Sequence, residues 1–222
     1  MATAEILRSD MERAIVELHK IFRYLNKTYF NNVLIEPVIL IQHQGNRRAN
    51  VLGWCTVGKI WRDKENKISN YEITITAEYA NRPYEEIAET MLHEMVHLYC
   101  AMREIKDTSR GNTYHNKRFK EQAERVDLKV EHNDKYGWAF TSPTEKLLNT
   151  LLRMPDRNLE AFTMARTFGG RGYRSGEDQS ENEGKRKTSW KYQCPNCEMS
   201  IRASKVVNVK CGDCDKTMEE VI

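Results

Sequence analysis

No apolar run in this chain approaches the roughly 20 residues of a membrane helix, so no membrane partner is expected. The stretch Met1 to Asp10 is polar and mixed in charge, which is not the pattern of a secretory signal. Charge of one sign is also lacking. The chain has 35 basic and 32 acidic residues, and the resulting +3 is too mild to announce nucleic-acid binding by itself. No internal repeat is present, which excludes a solenoid or array. Cysteine is scarce outside the tail, where four of the six form two C-x-x-C pairs. Without a secretory signal, that pattern implies metal rather than disulfides and a reduced, cytoplasmic location.

The 222 residues are 40% apolar and 30% charged, an ordinary soluble composition with enough material for a core. One main domain with a small appendage is the expected organisation.

The run from Tyr84 to Cys100 contains His93-Glu94-Met95-Val96-His97, an H-E-x-x-H pattern. On a helix, residues four apart share a face, so His93 and His97 can present two imidazole nitrogens to one metal ion. Glu94, next to the first ligand, would act as a general base toward a water at that ion. Pro83 suits a helix start, Glu85 and Glu86 complement the dipole of the first turn, and Ile87, Met91, Met95 and Leu98 form an apolar stripe.

A tetrahedral site needs a further protein ligand. Cys100 lies seven residues beyond His93, about 10 Å along a helix, too far for a shared ion, and reads as a buried free thiol. His115 follows the polar loop Arg103 to Asn112 and opens a second helical pattern with Phe119, Ala123 and Val126. Asn112 or Thr113 would cap that helix. Glu121 and Glu124 are rivals. His115 is preferred because it lies near Phe119 on the apolar side, whereas Glu121 falls among polar neighbours.

Elsewhere the pattern predicts a long helix over Ala4 to Phe30, strands over Val38 to Ile41 and Val51 to Val57, and a half-buried strand over Tyr71 to Thr76. Lys59 to Arg62 would continue the second strand, and Leu128 to His132 would form a last short one. The fold class is α+β with a small, mostly antiparallel sheet. The domain plan is a catalytic domain over 1–141, a helical connector over 142–168, a flexible linker over 169–189 and a zinc ribbon over 190–222. Within the connector, Ser142 would cap a helix that starts at Pro143, and Leu159 to Arg166 would form another helical piece.

In the tail, Cys194-Pro195-Asn196-Cys197 and Cys211-Gly212-Asp213-Cys214 form two knuckles able to close a four-cysteine zinc site. A segment this short needs the metal to fold. With all four positions taken by thiolates, this zinc is structural, so two zinc ions are expected in all. Lys185, Arg186, Lys187, Lys191, Arg202, Lys205 and Lys210 surround the knuckles, with Trp190 and Tyr192 interleaved. Such a set could bind phosphates and stack on bases. Opposing it are the thiolate charge, Asp213, Asp215, Glu219 and Glu220.

With these residues in view, the chain resembles the SprT-like family of zinc metallopeptidases, which includes the Spartan proteases. The likeness runs from Ala14 to Thr141. Its landmarks are Leu25-Asn26-Lys27-Thr28-Tyr29-Phe30-Asn31, Leu52-Gly53-Trp54, the strand ending at Thr76, Met91-Leu92 with the H-E-x-x-H run, and His115 with Phe119. The resemblance implies a zincin-like fold, a third histidine ligand on the following helix and, through Spartan-type members, proteolysis of DNA-bound or DNA-crosslinked proteins. The paired cysteines look like the ribbon of bacterial and phage members, implying a monomer in a bacterial cytoplasm or in that of a phage's host. The long regulatory tails of the Spartan type are missing here.

The function expected is a zinc endopeptidase with Glu94 as base and His93, His97 and His115 as ligands. Tyr114 and Tyr136 are candidate oxyanion donors between which the sequence does not choose. A rival reading is a non-proteolytic nucleic-acid-binding zinc protein with a regulatory role. A second rival is a hydrolase of small amides.

Overall fold

Helix α1 (Ala2–Phe30) realises the amphipathic run at the start of the chain. Leu18, Ile21, Phe22 and Leu25 on its inner side are fully buried. Asn31 and Asn32 end it in left-handed backbone, which asparagine tolerates. The structure, a computed structural model, describes residues 2–45, 51–167 and 189–221. The chain divides into two compact units, Met1–Arg171 and Gly172–Ile222.

In the first unit, β1 (Val38–Gln42) and β2 (Gly53–Cys55) are followed by β3 (Trp61–Arg62), β4 (Ser69–Asn70) and β5 (Glu72–Thr76). Strand β5 is central, parallel to β1 and antiparallel to β2. This sheet is therefore mixed, not mostly antiparallel as expected. Trp61–Arg62 does not prolong β2 but pairs with β4 in a separate hairpin. The half-buried reading of β5 is also corrected, since all five of its residues are buried. Strands flank it on both edges and the next helix packs across it. Its polar residues are satisfied inside: Glu72 accepts from the indoles of Trp54 (3.3 Å) and Trp61 (3.0 Å) and from the Thr74 hydroxyl (2.8 Å).

Helix α2 (Tyr84–Met102) packs on α1, β2 and β5. Its apolar stripe of Ile87, Met91, Met95 and Leu98 is fully buried, each side chain contributing about 1.5–3 kcal/mol of burial energy. Cys100 is likewise buried and free, as expected. Then come β6 (Thr108–Ser109), β7 (Tyr114–His115), α3 (Lys117–Arg125), β8 (Leu128–Asn133), β9 (Gly137–Pro143) and α4 (Glu145–Leu152). The four strands form a sheet of order β6-β7-β9-β8.

Strand β9, which the sequence pattern did not reveal, moves two boundaries. Ser142 and Pro143 end the strand, and Thr144 caps α4 by accepting the Leu147 N–H at 3.2 Å. Leu159 to Arg166 is not helical. The Arg166 N–H instead donates to the Ala77 carbonyl at 2.8 Å. Leu147, Leu151, Met154, Ala161 and Phe162 share one core with α1 and α2. Among the described residues, no helix is long and apolar enough to cross a membrane.

Gly137 allows β9 to pass beside β7. It sits at φ +68°, where a Cβ would overlap the His115 carbonyl oxygen and crowd the Tyr114 ring. Gly137→Ala is expected to pry these strands apart and lower stability by about 1–3 kcal/mol. Urea denaturation reads this directly, and an unchanged midpoint would mean that the strand contact is dispensable.

In the second unit, β10 (Trp190–Gln193) lies between β11 (Ser200–Ala203) and β12 (Glu219–Val221), antiparallel to both. Tyr192, Cys194, Cys211 and Met218 form its small core. The linker expected over 169–189 lies outside the described residues, apart from Ser189.

Candidate metal centre

His93 and His97 lie one turn apart on α2, and β7 brings His115 to the same point. A ligand atom from each of the three lies within 4.8 Å of the others. His115 Nε2 is 3.3 Å from His93 Nε2 and 2.9 Å from His97 Nε2. Three imidazoles on one zinc at 2.0–2.1 Å would hold their nitrogens about 3.4 Å apart in tetrahedral geometry, so the triangle fits such an ion. The rings surround the fully buried Phe119, whose centroid is 4.7, 4.7 and 4.6 Å from those of His93, His97 and His115.

The expected element for His115 needs correction. It is not on a helix but on strand β7, one residue before Asn116, which caps α3 by accepting from Arg118 N (2.8 Å) and Phe119 N (3.4 Å). The capping role expected of Asn112 or Thr113 belongs to Asn116. The rival carboxylates are occupied elsewhere or turned away: Glu121 is exposed, and Glu124 accepts from Lys120 at 2.7 Å.

Two partners that the sequence reading missed orient the histidines. His97 Nδ1–H donates to Asp107 Oδ2 at 2.6 Å, and His93 Nδ1–H donates to the Thr141 hydroxyl at 2.8 Å. The Asp107 carboxylate can only accept, and the Thr141 hydroxyl gives its own proton to the Glu89 carboxylate, so both bonds place the imidazole proton on Nδ1 and leave the Nε2 lone pairs facing the centre. Asp107 lay within a loop read only as polar, and Thr141 within the unrecognised β9. Neither position carries a local signal.

Burial drives the His93 imidazolium well below its ordinary range, aided by the two neighbouring histidines. It pushes His115 down to about 3, aided by His97 and opposed by Asp107 and the Tyr136 carbonyl. Neutral imidazoles are the form that binds metal. Glu94 is 4% exposed. Its carboxyl is raised to about 7 by burial, with Glu89 and Asp107 adding to the rise and His97 and the Cys55 N–H opposing it. A cation among the histidines would favour the carboxylate. Strand β2 passes close by: a Cβ on Gly53 would lie 2.9 Å from the Thr74 carbonyl oxygen and 3.3 Å from Glu94 Oε1. Of the candidate oxyanion donors, Tyr114 has its hydroxyl 3.3 Å from His132 Nε2, and Tyr136 packs its ring against Phe140.

In the second unit, Cys194, Cys197, Cys211 and Cys214 bring their sulfurs within 4.8 Å of one another. The two knuckles repeat one local design. Glu198 and Asp215, the residues after each pair, adopt left-handed backbone and donate N–H to the Cys194 and Cys211 carbonyls at 3.0 and 2.9 Å. Cys197 Sγ and Cys211 Sγ are 3.5 Å apart, near the roughly 3.8 Å of thiolates sharing a tetrahedral zinc. The N–H groups of Cys197 and Asn196 lower the Cys194 thiol to about 7. The Met199 N–H favours the Cys197 thiolate, but the other three sulfurs prevail and push that thiol up to about 12. Thiolates packed this closely repel one another, and a cation among them would relieve that repulsion.

The ribbon residues named for nucleic-acid contact separate onto two faces, because neighbours on a strand point opposite ways. Tyr192 is only 5% exposed and its hydroxyl accepts the Val207 N–H at 3.1 Å, so the stacking role is corrected to a core role. Trp190 also packs against that core. Lys191 and Arg202 are cross-strand neighbours. Arg202 and Lys205 are exposed, while exposed Lys210 pairs with Asp215 at 3.4 Å. Lys185, Arg186 and Lys187 lie outside the described residues.

A model of the SprT-like family matches residues 18–136, just over half of the 222. No curated protein and no solved structure matches the chain. The matched span contains α2, Glu94 and all three converging histidines and ends before the cysteine knuckles, and on that match the chain belongs to the SprT-like family.

Proposed function

We propose that the first unit is a zinc-dependent endopeptidase of zincin-like architecture, held by His93, His97 and His115, and that a second, structural zinc occupies the four-cysteine site. The observation that carries this reading is the convergence of three imidazoles on one point, with the buried Glu94 carboxyl following the first of them. The ion would supply Lewis-acid polarisation of a scissile carbonyl and a lowered pKa for a nearby water. Glu94 holds the proton taken from the attacking water and returns it to the departing amine. Asp107 and Thr141 keep two imidazoles in the required tautomer and orientation. Free thiolates for the second site suit a reducing cytoplasm.

The substrates we propose are proteins bound or crosslinked to DNA. The exposed basic side chains Arg202 and Lys205, with Lys191 beside Arg202, support contact with phosphates. The test is cleavage of a protein covalently attached to DNA, by zinc-loaded enzyme with single-stranded, double-stranded or no DNA. Cleavage is expected only when DNA is present, and to weaken as salt rises. Equal cleavage without DNA would remove the DNA partner and keep the protease. No cleavage of any protein, with DNA still bound, would favour a non-proteolytic nucleic-acid-binding protein.

A further inference from the structure

We propose that Asp107 is the positioning residue that preorganises the three-histidine centre, joining the ligands of α2 to the ligand of β7. This rests on the reading that these histidines hold a metal ion. His97 and His115 sit on different elements, 18 residues apart in sequence. The segment between them must therefore fix their relation.

Asp107 grips both sides. Its carboxylate accepts from His97 Nδ1–H at 2.6 Å, with both side chains largely buried, at 16% and 13% exposure. Its backbone carbonyl accepts the Asn116 N–H at 2.9 Å, one residue past His115. Asn116 returns the contact by donating its side-chain amide to the Lys106 carbonyl at 2.8 Å. The next residue, Thr108, pairs with His115 across β6 and β7. The segment 106–108 thus runs as a clip along 114–116, with its one carboxylate directed back at α2.

The three ligands are supported unequally. His93 has a neutral hydroxyl behind it and His97 a carboxylate. His115 Nδ1 has no side-chain partner, and the residue is held through its backbone, by pairing with Thr108 of the clip on one side and by N–H donation to the Tyr136 carbonyl at 3.0 Å on the other. A charged acceptor strengthens the bond to His97 and raises the basicity of its far nitrogen. The buried Cys100 thiol also faces Asp107.

The test uses the full chain with Asp107→Ala, Asp107→Asn and, for the neutral support, Thr141→Val. Two quantities are read: zinc affinity of the histidine centre by chelator competition, and the His97 tautomer in metal-free protein by nitrogen-detected magnetic resonance. The four-cysteine site serves as an internal control. Asp107→Ala is expected to weaken zinc about 10–100-fold, to lose the Nδ1–H tautomer of His97 and to shift His115 signals, leaving the cysteine site unchanged. Asp107→Asn retains an acceptor oxygen, so it should keep the fold and the tautomer and lose less affinity. Wild-type affinity in Asp107→Ala, or a His97 tautomer that does not change, would overturn the proposal alone. A wild type that binds no zinc at the histidines would sink the metal-centre reading and this proposal with it.

Discussion

Removing the metal from the four-cysteine site is expected to unfold residues 190–221 while the three-histidine unit stays folded. Among its described residues the second unit buries little besides Tyr192, Met218 and two of its own cysteines, too few apolar side chains to offset the entropy of ordering some 30 residues. A closed thiolate site contributes about 10–16 kcal/mol in small zinc modules near neutral pH, enough to decide the outcome. The sulfurs already compete for protons, with Cys194 pushed down to about 7 and Cys197 up to about 12. The first unit has an extensive apolar core of its own, spanning α1, α2 and α4. The check is a Cys211→Ser, Cys214→Ser double variant of the full chain, followed by amide spectra. Signals of the second unit should collapse to unfolded positions while those of the first remain dispersed. A ribbon that keeps its dispersion without metal would show that its small core folds unaided.

Legibility in the sequence followed locality. Helix α2, its histidine pair and the cysteine knuckles were readable because each is specified within a few residues of chain. His115 does meet the other two histidines, but from strand β7 rather than from a helix. Its spacing of four from Phe119 continues the periodicity of α3 backward, yet Asn116 takes the capping position and leaves His115 on a strand. Strand β5 looked half-buried because Glu72, Thr74 and Thr76 alternate with apolar residues. Two indoles and a hydroxyl satisfy Glu72 inside, a fact of tertiary structure. Strand β9 was hidden by a helix-start signature at Ser142-Pro143-Thr144-Glu145, where Thr144 alone does the capping. The partners of the three histidines were least legible. Asp107 and Thr141 lie 10 and 48 residues from the histidines they orient, and no periodicity connects them. The apparent mixture of basic and aromatic residues on β10 resolved once strand alternation assigned them to opposite faces.

In the proposed mechanism Glu94 moves protons while the histidines hold the ion, and Glu94→Gln separates the two roles. Glutamine has the same shape and accepts the Cys55 N–H as the carboxylate does, so the packing around a residue only 4% exposed should persist. It cannot take a proton from water. General-base action is worth about 10²–10⁴-fold in rate, and the variant should lose at least that much. The measurement to make is cleavage of a DNA-crosslinked protein by wild type and Glu94→Gln side by side, each assayed for bound zinc. The account predicts equal zinc content and cleavage by wild type only. A Glu94→Gln variant that retains its zinc and cuts as fast as wild type would contradict it.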